Sequence, residues 1–447
     1  MVPSRAGVSE AVRSRLWPIP MLALAVALAC GIAMPELDEA LGTRLPESVS
    51  SLLFGGGADA AREVLSAIAG SLITVTSLTF SLTLITLQLA SSQYSPRLLR
   101  TFAADRVVQH TLALFLATFV YALTVLRTIR SNDESDDFVP QLSVTLAYLL
   151  TVLSVAALVL FLGHLVRQIR VETLLDQVRG DTIATAERVF RRRADVGAHP
   201  AMPTAESADM IESRSSGFLV EIDEDALLAT ATHHDIVLWV DRRVGSPLIA
   251  GVPAARCRSR SGDPLDEQTL GAVREQVSRA LRTGAERTSA QDPEYGLRQL
   301  VDVVVRALSP GINDPTTAVH GLHSCTVALS HLLDYELGPQ VLTDDQHRAR
   351  VVVTRPTFGD LLELVCFQPR LYGADDPAVL QALMSSLRDL AWRATTPDQR
   401  ATLAQQAERL RQHHGENETM DAERMDALHR EVLSALERSP GPPEAGS

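Results

Sequence analysis

The sequence contains no lysine; all 41 of its basic residues are arginine. That absence excludes every mechanism that needs an ammonium group, among them a Walker-type phosphate lysine, a Schiff-base lysine and a lipoylated or biotinylated lysine. Cysteine is also sparse. The four thiols, Cys30, Cys257, Cys325 and Cys366, form no C-x-x-C pair, so neither a zinc cage nor a disulfide framework is indicated and a reduced setting is the default. An excess of basic charge is missing too. A net charge of -13 argues against a nucleic-acid partner, because such binding needs a basic surface to displace counterions from phosphates. No G-x-S-x-G, H-E-x-x-H or G-x-G-x-x-G pattern occurs, so the sequence names no catalytic residue and no cofactor. His320, His323 and Cys325 are close in sequence, but they lack the i, i+4 spacing of a helical metal pair, and no metal site is expected.

What the sequence has in abundance is long apolar runs, all within the first 166 residues. Runs at residues 17–34, 64–90, 107–126 and 142–166 each approach or exceed the roughly 20 residues needed to cross a bilayer core. The first outlasts a signal-peptide core and has no small-residue cleavage site before Glu36, Asp38 and Glu39, so it reads as a retained anchor. Arginine counts orient the four. Arg5, Arg13 and Arg15, then Arg97, Arg100 and Arg106, then Arg167 and Arg170 mark one side; Arg44, Arg62, Arg127 and Arg130, with the acids Asp133, Glu134, Asp136 and Asp137, mark the other. The positive-inside rule then places both termini in the cytoplasm. The expected fold class is an α-helical membrane domain of four transmembrane helices plus a mainly α, α+β cytoplasmic domain. The expected order is a cytoplasmic segment over 1–16, the membrane domain over 17–166, a helical connector over 167–195 continuing the fourth span, a small β-rich subdomain over 215–262, a helical domain over 263–438 and a disordered tail over 439–447.

The second run differs from a plain anchor. Thr74, Ser77, Ser81 and Gln88 recur at spacings that keep them near one helix face. Two readings stand: a polar stripe facing a path for ions or small solutes, or interhelical packing through small hydroxyl residues. No ionisable residue lies within the run, which speaks against a proton relay. After it, Ser95 and Pro96 form a cap and first helical residue, with Arg97 and Arg100 suited to anionic headgroups.

In the second half, SGFLVEID and IVLWVD read as strands around a short helix. Gly245 and Gly251 bracket an apolar Pro-Leu-Ile in a way that resembles the turn-strand-turn half-motif of biotinyl and lipoyl-like small β-barrels, without their attachment lysine. Residues 292–333 are the most distinctive. Asp292-Pro293 and Asp314-Pro315 each supply an N-cap and first helical residue, and Ser309-Pro310-Gly311 stops the helix between them. Arg298, Asp302 and Arg306 fall at i, i+4 and i+8 on that helix, leading to a corner with Asn313, Asp314, Thr316 and Thr317. The corner reads either as a pocket for an anionic small molecule or as an ion-pair face beside two well-capped helices. Thr357 and Asp360 resemble a capping box, and Asp376-Pro377 and Thr396-Pro397 open further helices.

FSLTLITLQLASSQYSPRLLRTF, FVPQLSV and YGLRQLVDVVVRALSPGINDPTTA together resemble the bacterial membrane-protein family called domain of unknown function 2254, over nearly the whole chain. The resemblance implies a bacterial plasma-membrane protein and supplies no activity, ligand or catalytic residue. The polar face of the second run and the helical continuation of the fourth motivate the expected function, a non-enzymatic, channel-like or sensory membrane protein whose cytoplasmic half binds a ligand or partner. A pore from four spans would need a homo-oligomer. A membrane-bound enzyme acting on an anionic or phosphorylated small molecule, and a scaffold without a ligand, remain the alternatives.

Overall fold

The computed structural model describes residues 17–41, 53–93, 105–129, 139–168, 170–195, 202–205, 208–417 and 420–438. The expected segment 1–16, the Ser95 cap with Arg97 and Arg100, the acids at 133–137 and the tail 439–447 lie outside the described residues. The chain divides into two compact units, Met1–Thr173 and Leu174–Ser447.

The first unit holds four helices long and apolar enough to cross a membrane: α1 (Pro18–Leu41), α2 (Ala58–Gln93), α3 (Arg106–Leu126) and α4 (Gln141–Gln168). α3 packs against each of the other three, and its Phe115, Tyr121 and Val125 are fully enclosed with Leu65 and Leu72 of α2 and Ala147 of α4. Close approach uses small residues, as at Gly31 of α1, where an added Cβ would lie 2.8 Å from Thr124 Cβ. Large apolar side chains such as Leu22, Phe80, Leu153 and Leu160 cover the outside, a surface suited to hydrocarbon. α1 runs past the expected end at residue 34, through Pro35, and so carries Asp38 within its last two turns. There the Asp38 carboxylate accepts from Leu142 N (2.8 Å), Ser143 N (2.9 Å) and Ser143 Oγ (2.6 Å), capping α4 from another helix. Asp105 caps α3 through Val107 N (2.7 Å) and also meets His164 Nε2 of α4 at 2.6 Å. Where the sequence suggests one helix running on from the fourth span, the described residues form two: α4 ends at Gln168 and α5 covers Val171–Val189.

In the second unit, strands β1 (Asp209–Glu212) and β2 (Gly217–Ile222) precede α6 (Glu224–His233), followed by β3 (Ile236–Val240), β4 (Pro247–Leu248) and β5 (Pro253–Ser259). Then come α7 (Glu267–Ala280), β6 (Leu281–Gly284), α8 (Pro293–Ala307), α9 (Pro315–Leu332), β7 (Gln340–Thr343) and β8 (Ala349–Val353). Four helices close the unit: α10 (Phe358–Tyr372), α11 (Pro377–Arg393), α12 (Pro397–Asn417) and α13 (Ala422–Arg438). A five-stranded sheet has the order β1-β5-β3-β8-β7, and a three-stranded one β4-β2-β6. The strands therefore come from residues 209–353, beyond both ends of the expected 215–262 segment, because β3 pairs in parallel with β8 over a hundred residues on. Gly245 and Gly251, both at positive φ, do flank a strand, but β4 is a two-residue edge of an open sheet, which corrects the small-barrel reading.

Strand alternation gives the larger sheet two faces. Leu238, Val240, Cys257 and Val351 join Leu227 of α6 and Val273 of α7 in the core. Val237, Trp239 and Val352 face the opposite way, against Ala205 and Ala208. The helices form their own layer, with α8 against α9 and α10, and α11 against α9, α12 and α13.

Candidate functional site

The Asp-Pro starts behave as local chemistry dictates. Asp292 caps α8 by accepting from Tyr295 N at 3.0 Å, and Asp314 caps α9 by accepting from Thr317 N at 3.1 Å and Thr317 Oγ1 at 2.6 Å. Asp292 is almost wholly buried and takes both Arg287 Nε (2.9 Å) and Nη2 (2.7 Å) on one oxygen. Burial nevertheless pushes its carboxyl up to about 6, against the pull of Arg287. Gly245 packs directly over this pair; an added Cβ would fall 2.3 Å from Asp292 Oδ2, and φ is +89°.

Between α8 and α9 the chain turns tightly. Ile312 N and Asn313 N donate to Ser309 O, Asp314 N donates to Ala307 O, and Asn313 has φ +50°, a conformation that asparagine tolerates. Asn313, Thr316 and Arg306 are exposed, while Asp314 and Thr317 are half-buried. Thr317 is held by Asp314, and hydrogen bonds from the Thr317 side chain and backbone hold the Asp314 carboxyl below the usual range. The amides at this helix start thus already have an anion, the carboxylate of Asp314. Arg306, exposed, lies one residue before the end of α8, at the corner. Arg298, two turns earlier, sends Nη1 to Gln368 Oε1 of α10 at 3.4 Å, and none of Arg298, Asp302 and Arg306 is without an interaction partner. The other end of α8 meets α5: an added Cβ on Gly296 would lie 2.0 Å from Thr182 Oγ1, and Thr185 Oγ1 of α5 donates to Ser289 O at 3.0 Å.

On α2, Thr74, Ser77, Ser81 and Gln88 are all exposed, on the side turned away from the other helices of the unit. The buried polar stripe lies two residues on, at Thr76, Thr79, Thr83 and Thr86, about 200° around the helix. Thr76, Thr83 and Thr86 return their hydroxyls to carbonyls one turn back at 2.7–2.9 Å. Thr79 Oγ1 is enclosed and has no hydrogen-bond partner among the described residues. In the seam between α3 and α4, Thr118 Oγ1 and Ser154 Oγ sit 3.3 Å apart, with Phe115 and Phe161 fully buried.

Sequence reasoning passed over another feature of the second unit. A cleft of about 410 Å³ on the Trp239 face of the larger sheet is lined by Arg258, Ser259, Arg260 and Arg348. Its only sequence trace is the alternating R-C-R-S-R of residues 256–260, which reads as an ordinary solvated strand. The three thiols of the second unit, Cys257, Cys325 and Cys366, are buried, and burial pushes Cys257 up to about 11 and Cys366 up to about 12. Among the described residues, no three His, Cys, Asp or Glu side chains converge on a metal-sized space.

The profile of the family described as "Predicted membrane protein (DUF2254)" matches residues 13–389. An uncharacterised protein of Mycobacterium bovis and one of Mycobacterium tuberculosis are each 32% identical over 416 residues, covering 91% of this chain and 77% of theirs. No solved structure matches.

Proposed function

The chain belongs to that family of predicted membrane proteins, and from this premise we propose that it is a non-enzymatic sensory or channel-like protein of the bacterial plasma membrane. Its four apolar helices cross the bilayer, both termini are cytoplasmic, and the C-terminal unit takes a ligand or partner whose binding biases the spans. Arginine at 106, 167 and 170 supports that orientation. The observation that carries the reading is α5. It follows α4 after two residues, and within the C-terminal unit it is fastened to α8 by the glycine-only contact of Gly296 with Thr182. A shift of α8, whose far end forms the Arg306 to Thr317 corner, therefore reaches a helix joined almost directly to a span. The outward Thr74, Ser77, Ser81 and Gln88 stripe supports association with further copies, where it would meet a neighbour or line a shared path.

The test uses the full chain in lipid nanodiscs. Thermal shifts against nucleotides and anionic metabolites find a ligand, and hydrogen exchange is then followed with and without it. Protection is expected over residues 171–189 and the end of α4 as well as at the binding site; protection that stops short of α5 overturns the coupling. Recordings in planar bilayers decide the channel-like version, which silence across voltage, tension and ligand removes.

A further inference from the structure

We propose that the cleft walled by Arg258, Arg260 and Arg348 on the five-stranded sheet binds a small organic anion through its phosphate group. The three arginines arrive from segments ninety residues apart in the chain. Arg258 stands opposite Val237 across the β5–β3 pair, Arg260 follows the end of β5, and Arg348 immediately precedes β8 on the other side of β3. Val237 and Trp239 supply an apolar floor, and no carboxylate lines the cleft among the described residues.

The walls are held by a network of ion pairs. Arg350 is 1% exposed and joins Asp344 (Nε, 2.8 Å) to Asp235 (Nη1, 2.7 Å). Asp344 also accepts from Gln346 N and Arg348 N at 3.0 Å and from Arg348 Nε at 2.8 Å. Burial works against its ionisation, yet these bonds hold its carboxyl well below the usual range, so it stays a charged anchor for the Arg348 turn. Arg260 N donates to Asp235 O at 3.1 Å, tying the second arginine segment to the same network. On the floor, Trp239 Nε1 donates to Pro203 O at 3.3 Å, which fixes the indole. Buried Asp344 thus orients the Arg348 segment, and exposed Asp235, 4.0 Å from Arg260 Nη1, pairs with Arg260 without lining the cleft.

Guanidinium forks match phosphate oxygens in geometry and charge, and they are weakly hydrated enough to exchange water for a ligand. A volume of about 410 Å³ lies within the range of about 300–1,000 Å³ common to small-molecule sites. It exceeds what inorganic phosphate needs and suits a phosphate attached to a flat or apolar body. A free metabolite and a lipid headgroup share that chemistry. The inference goes beyond the coupling reading, since binding is measured whether or not the spans respond.

The full chain in phosphatidylcholine nanodiscs is titrated with AMP by calorimetry. In parallel, discs containing phosphatidate are tested for capture of that lipid. Saturable AMP binding identifies a free phosphate, and phosphatidate capture without AMP binding identifies a headgroup. In either case Arg258→Gln and Arg260→Gln are expected to weaken binding at least tenfold. Arg260 is exposed, so its variant should keep the wild-type melting temperature and separate ligand loss from unfolding. Absence of both kinds of binding overturns the proposal, as does binding that survives both substitutions or that is lost instead in Arg298→Gln.

Discussion

Asp292 and Asp314 carry the same Asp-Pro signature, yet burial gives them opposite chemistry. Asp314, at the surface, is held below the usual carboxyl range by Thr317, whereas burial raises Asp292 to about 6 despite Arg287. The sequence announces both caps and cannot announce this difference, since burial depends on Gly245 and its loop closing over one of them. A consequence for stability follows. Because the folded Asp292 binds a proton more readily than an unfolded aspartate of about 3.9, its contribution to stability is lost as pH rises through about 6 and grows as pH falls below it. Between pH 7 and 5 the melting temperature of the C-terminal unit should carry a component that rises on acidification, and Asp292→Asn should flatten it. Glu408, which hydrogen bonds from Arg411 and Gln412 hold down at about 2, acts in the opposite direction but at lower pH. Arg298 makes a similar point: its i, i+4, i+8 ladder with Asp302 and Arg306 is legible, but the partner Gln368 lies seventy residues away on α10.

At the scale of elements, most starts and stops were legible, because caps and breakers act within four residues. α8, α9, α10 and α11 begin at Asp292-Pro293, Asp314-Pro315, the Thr357–Asp360 capping box and Asp376-Pro377. The end of the first span was not legible: α1 runs past the expected residue 34, through Pro35, to Leu41 and delivers Asp38 to α4. On α2 two polar stripes run along nearly opposite faces, and nothing local says which faces inward. The buried one is tolerant at its centre. Thr79→Val keeps the shape and removes an unpartnered hydroxyl, so the melting temperature should hold or rise, by up to about 1 kcal/mol of stability; a clear fall would mean that the hydroxyl has a partner supplied by water or another chain. The α5–α8 contact is the intolerant counterpart. Gly296→Ala should destabilise the C-terminal unit by about 1–3 kcal/mol, and adding Thr182→Ala should recover part of that loss, a non-additivity readable in thermal unfolding of the double mutant.

For the whole molecule, the sequence by itself determined the division into an apolar four-helix half and a mixed second half, the family, and the starts of α8, α9, α10 and α11. Each rests on runs or signals contiguous in the sequence. Only the tertiary structure decided which side of α2 is buried, that one sheet gathers strands from residues 209 to 353, and that Arg258, Arg260 and Arg348 share a cleft. These depend on the pairing of β3 with β8 and on which helix faces meet. Such pairings are set by burial of apolar surface across long chain separations, where the residues at either end carry no mark of their partner.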